Sequence, residues 1–133
     1  MMKSILSVSI LSAALLMNGC DYKPRNQGKA LFEKECQSCH MEKGQGLGKL
    51  FPPVANADYV VNNKTQLACL IRNGIEGQLT VNGQEYTGEM EGNLQLTEIE
   101  ISNLVHYILV DLNNQKDAYQ ISEIKAQLEL CKK

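Results

Sequence analysis

Apolar positions follow two rhythms along this chain. Ile5 to Met17 is almost continuously apolar, interrupted only by Ser7, Ser9 and Ser12, with Lys3 ahead of it. That run is too short to cross a bilayer as a helix and reads as the core of an export signal over residues 1–19. Helical spacing appears later. Ile101, Leu104, Val105, Ile108 and Leu112 form one stripe, and Ala118, Ile121, Ile124, Leu128 and Cys131 form another. Each predicts an amphipathic helix, the second over residues 118–131. Thr97 with Glu100 three residues on is a capping box that starts the first of them.

Two more helices are expected upstream. One starts at Gly28 and carries Ala30, Leu31, Phe32 and Cys36; the other runs from Thr65 to Asn73 and is stopped by Gly74. Residues 41–58 read as loop, broken by Gly44, Gly46, Gly48, Pro52 and Pro53. Leu79 to Tyr86 reads as a small hairpin or loop around the turn dipeptide Asn82-Gly83. Residues 20–27 are polar with one proline and read as a tether. The expectation is one all-α domain over residues 28–133, whose C-terminal extension covers about 113–133.

Cys36-Gln37-Ser38-Cys39-His40 is the candidate chemistry. Cys-x-x-Cys-His is the attachment signature of c-type haem: two thiols add across the vinyl groups of one porphyrin, and the histidine supplies an axial nitrogen. A thioredoxin-type pair needs a βαβ context that this pattern lacks. A zinc site needs further ligands, and no second Cys-x-x-Cys or His-x-His follows. One covalent haem c is therefore expected, attached through Cys36 and Cys39 and ligated by His40.

The export segment ends Leu16-Met17-Asn18-Gly19-Cys20, which resembles a bacterial lipobox. Cys20 would then carry lipid and hold the domain on the periplasmic side of a membrane, several acyl chains making the anchor stable. Tryptophan is absent and aromatics are 5%, which suits a core completed by a porphyrin. Of 13 basic residues Lys3 leaves with the leader, so 12 face 15 acids, and nothing suggests a nucleic-acid partner. Between Asn73 and Gln115 there are seven acids and no lysine or arginine. A segment of one sign can steer a partner with a basic docking patch.

With these residues in view the chain resembles the class I cytochromes c of the bacterial monohaem kind over about residues 27–111. Gly28 and Phe32 stand before the haem motif where that family has a glycine and an aromatic. Leu104-Val-His-Tyr107 matches its last helix, which crosses the first. The resemblance implies that the carbonyl of Pro52, in Phe51-Pro52-Pro53, orients His40. Three residues are candidates for the sixth ligand: Met41, Met90 and His106. Met41 adjoins His40 and cannot reach the opposite face, and His106 lies inside the last helix. Met90, in Tyr86-Thr-Gly-Glu-Met90, matches the family's axial methionine, with Glu91 where the family often has proline. A His/Met pair raises the potential and suits electron transfer. The implied role is a non-enzymatic carrier of single electrons between membrane or periplasmic redox proteins. The alternative is a haem enzyme or gas-binding protein with a displaceable sixth ligand. Cys69 and Cys131 remain once the other cysteines are assigned, and in an oxidising compartment they are expected to pair; two buried free thiols are the other outcome.

Overall fold

The structure, a computed structural model, describes residues 24–131; the export segment and Cys20 lie outside the described residues. Six α-helices and one hairpin make up the fold among these residues. Helix α1 spans Pro24–Glu35, and after a turn at Cys36 a single helical turn, α2, spans Gln37–His40. Helix α1 begins at Pro24, not Gly28, so residues 24–27 of the expected tether are helical. Proline suits a first helical turn, where no N–H is required of it. A short helix α3 (Asp58–Asn62) occupies a stretch expected to be partly loop. A 3-10 turn (Lys64–Gln66) then leads into α4 (Leu67–Asn73).

Helix α5 (Glu98–His106) starts at the expected capping box: Thr97 Oγ1 accepts from Glu100 N, and Glu100 Oε2 accepts from Thr97 N. These bonds hold the Glu100 carboxyl below the usual carboxylate range. The helix continues as a π-helical turn, Tyr107–Leu112. Helix α6 (Ile121–Leu130) is the expected extension, shorter than residues 118–131 and capped by Gln120 with Glu123.

Helices α1 and α5 cross at Gly28. A Cβ there would run into the Asn103 carbonyl and Tyr107 Cβ, so only glycine lets the two backbones meet. Phe32, fully buried, stacks at a tilt on Tyr107 with ring centroids 5.7 Å apart. Ile101, Leu104, Val105, Ile108 and Leu109 continue this core, and Ile124 and Leu128 of α6 join it. The sulfurs of Cys69 on α4 and Cys131 after α6 are bonded, with Cα atoms 5.8 Å apart. Lys125 also meets Glu98 at 3.6 Å.

The helical fold contains one antiparallel hairpin, longer than the eight residues expected: β1 (Gly74–Val81) pairs with β2 (Gln84–Glu91) along its whole length. Its glycines and glutamates have low strand propensity, so composition hid the ladder. Asn82 and Gly83 have φ of 50° and 77°, the twist of a two-residue hairpin turn. Three ties fix the hairpin. Asp58 and Asn82 exchange backbone-to-side-chain bonds at the tip (2.7 and 2.9 Å). Tyr86 Oη donates to the Gly48 carbonyl (3.2 Å). Beyond the open end, Asn93 N donates to the Ile71 carbonyl (2.9 Å).

Candidate haem site

The turn Gln37–His40 carries the Cys-x-x-Cys-His residues on one side. Cys36, Cys39 and His40 are spaced i, i+3 and i+4, so one helical turn brings both thiols and the imidazole together. The turn closes with His40 N donating to the Cys36 carbonyl (2.9 Å) and stops at Met41, whose φ is 66°. Both thiols are free and half-buried. Burial first, then Glu35 and Cys39, pushes the Cys36 thiol up to about 12, so it is protonated at neutral pH. A thiol poised as a redox nucleophile needs the opposite shift. Among the described residues no cluster of three His, Cys, Asp or Glu surrounds these thiols to complete a metal set.

His40 Nδ1 is 2.9 Å from the Pro52 carbonyl. A carbonyl can only accept, so Nδ1 carries the proton and the Nε2 lone pair is left for a metal. Burial lowers the imidazole's pKa, and the Pro52 bond partly offsets this. The ring is therefore neutral and held in the tautomer that ligation needs.

Loop geometry brings Pro52 to His40. Gly46 N donates to the His40 carbonyl (3.0 Å), and Val54 N and Ala55 N both donate to the Gly44 carbonyl (2.7 and 2.8 Å). Gly46 has φ of 71°, and a Cβ there would meet the Phe51 carbonyl at 2.5 Å, so glycine is required where the loop doubles back. Asn113, just after the π-helical turn, anchors the far end. Its Oδ1 accepts from Ala57 N (2.9 Å), and its Nδ2 donates to the carbonyls of Val54 (2.9 Å) and Ile108 (2.8 Å). Sequence reasoning missed Asn113. Its only signal was an asparagine following an apolar stripe, which reads equally as a helix stop.

Met90 lies in β2 opposite Ile75 and is 36% exposed. Gly74 pairs with Glu91, and a side chain at Gly74 would strike the Met90 carbonyl. Downstream, Asn93 Nδ2 donates to Glu35 Oε2 (2.9 Å), tying this segment to the residue beside Cys36. Met41 adjoins His40, and His106 is the half-buried last residue of α5. The Tyr86–Gly48 bond joins the strand bearing Met90 to the loop that follows His40.

These residues fit a covalently held porphyrin. Two thiols and an oriented imidazole share one turn, and a thioether stands on a strand tied to the loop after it. Leu47 and Leu50 of that loop present apolar surface that a large planar group can cover. Bound there, the iron supplies one-electron redox chemistry.

The seven acids of the 73–115 segment do not act alike. Glu98 meets Lys125, and Glu100 caps α5. Glu76, Glu85, Glu89 and Glu91 are exposed and share one face of the hairpin, with Glu76 directly opposite Glu89.

Comparison with known proteins agrees with this geometry. Residues 26–110 match the cytochrome c family. One cytochrome c-552 of Thermus thermophilus is 30% identical over 102 residues, covering 74% of this chain and 68% of the relative. A second Thermus thermophilus cytochrome c-552 is 32% identical over 78 residues, covering 56% of this chain and 60% of the relative. The chain belongs to the cytochrome c family, the small helical proteins that carry covalently bound haem c and transfer electrons.

Proposed function

We propose that this chain is an exported, lipid-anchored monohaem cytochrome c that passes single electrons between membrane or periplasmic redox proteins and is not itself an enzyme. Cys36 and Cys39 hold the haem, His40 and Met90 ligate the iron, and Pro52 orients His40. The observation that carries this is the His40 Nδ1–Pro52 carbonyl bond, which leaves Nε2 as the donor beside the two thiols. Met90 is supported by its place on a braced strand, where ladder pairing replaces the missing proline. A soft thioether opposite an imidazole stabilises ferrous iron and asks for little rearrangement on electron transfer.

The anchor is read from the leader over residues 1–19 and from Cys20 immediately after it. Residues 20–23 then keep the domain close to the bilayer. In that oxidising compartment the Cys69–Cys131 bridge holds the C-terminal helix on the haem domain. The outward carboxylates of the hairpin are the docking face for a partner with a basic patch. Support comes from the Glu76–Glu89 pair: like charges directly opposite destabilise a ribbon, and this one retains them.

Intact mass and the reduced-minus-oxidised spectrum of the protein purified from membranes test this reading. One covalently added haem, a low-spin difference spectrum and an acylated N-terminal peptide beginning at Cys20 are expected. An unmodified mass at Cys36 and Cys39 overturns the haem assignment. A free Cys20 in membrane-extracted protein overturns the anchor.

A further inference from the structure

We propose that Gly88, with Gly77 opposite it, forms a side-chain-free seat in the hairpin against which the rim of the porphyrin lies. This rests on Met90 as the axial ligand. The register places Tyr86, Gly88 and Met90 of β2 on one face with Leu79, Gly77 and Ile75 across from them. That face is apolar at both ends and bare in the middle. Met90 to Tyr86 is about 13 Å along the strand at ~3.3 Å per residue, long enough for the edge of a planar group to lie between the two ends. One end presents the thioether. At the other, Tyr86 Oη is bonded to the Gly48 carbonyl in the loop after His40. The bare strip therefore runs from the Met90 side to the His40 side, along the flank of a planar group held between them.

The protein itself gives no reason for glycine at position 88. Its φ is not in the left-handed region, and an added Cβ would meet no atom within 4 Å. Glycine there costs backbone entropy and forgoes a strand-forming side chain. Gly77 differs, because its φ of 93° favours glycine by itself. Gly88 is thus the position where a porphyrin seat and a purely structural role make opposite forecasts. On structural grounds a β-branched residue is harmless or stabilising; against a porphyrin rim it pushes the group away from Met90.

The test uses haem-bearing protein carrying Gly88→Val, Gly88→Ala or Thr87→Val, the last on the opposite face. Each is read by intact mass and by the ferric absorption band of Met–Fe ligation. Gly88→Val should keep its covalent haem yet lose most of the band and show a lowered reduction potential. Gly88→Ala should lose less, and Thr87→Val should match the parent. A parental band and potential in Gly88→Val overturns the seat. If Gly88→Val yields no haem-bearing protein, Gly88→Ala decides by the same criterion: a weakened band sustains the seat and a parental one overturns it. Met90→Ala, run alongside, separates the two ideas. If it keeps the band, the ligand assignment fails and the seat falls with it. If it loses the band while Gly88→Val keeps it, the seat alone fails.

Discussion

Asn113→Ala should be among the most damaging single changes outside the apolar core. The side chain accepts from Ala57 N and donates to Val54 and Ile108 carbonyls, all at 2.8–2.9 Å. Each such bond contributes about 1 kcal/mol net, and a buried donor stranded without a partner costs about 1–3 kcal/mol. Ala57 is 1% exposed, so water cannot replace Oδ1 at its amide. The two carbonyl bonds at about 1 kcal/mol each and the stranded Ala57 amide at about 1–3 kcal/mol give about 3–5 kcal/mol, a large part of the ~5–15 kcal/mol typical of a whole domain. Asn113→Asp keeps the acceptor for Ala57 N but loses both donors, and should also destabilise. Denaturant titration of the haem-bearing protein gives the total as a lowered midpoint at unchanged slope. Hydrogen exchange at the Ala57 amide gives the local effect, since that group then opens before the rest of the fold. A loss below about 1 kcal/mol, with Ala57 as well protected as in the parent, would refute the bracing of the Pro52 loop by Asn113.

Gly28→Ala drives a methyl into the Asn103 carbonyl and Tyr107 Cβ; overpacking of this kind costs about 1–3 kcal/mol, measurable as a lower Tm. Cys131→Ser opens a loop of 62 residues, for which chain entropy gives about 4 kcal/mol; covalent haem should be retained, and unchanged stability under reducing and oxidising conditions would show that the bridge does not form. Glu89→Lys combined with Glu91→Lys should remove the low-salt advantage of a positively charged redox reagent over a negative one, and an unchanged salt dependence of the electron-transfer rate would remove the hairpin as docking face.

Local chemistry was legible in the sequence wherever a few neighbouring residues suffice. The Cys36-x-x-Cys39-His40 turn, the Thr97–Glu100 capping box and the Asn82-Gly83 turn each depend on spacings of a few residues, and each is found at its expected place. The cytochrome c fold was likewise legible, through Gly28, Phe32 and the last helix. What was not legible depends on partners distant in sequence. The hairpin reaches back to Gly74 because Ile75 pairs with Met90, fifteen residues on, which no local propensity signals. The acids of the 73–115 segment look alike in sequence, yet the Lys125 partner and the α5 cap take two of them out of the exposed set. Asn113 gains its role only because the 54–57 loop folds back onto it across 56 residues. The π-helical turn before it has no composition of its own.

The ferric Met–Fe absorption band in the parent, Met90→Ala and His106→Ala tests the His40/Met90 ligand pair. The band should be present in the parent and in His106→Ala, and absent from Met90→Ala, whose haem stays covalently attached and whose reduction potential falls. Loss of low-spin ligation in His106→Ala with the band intact in Met90→Ala would contradict it.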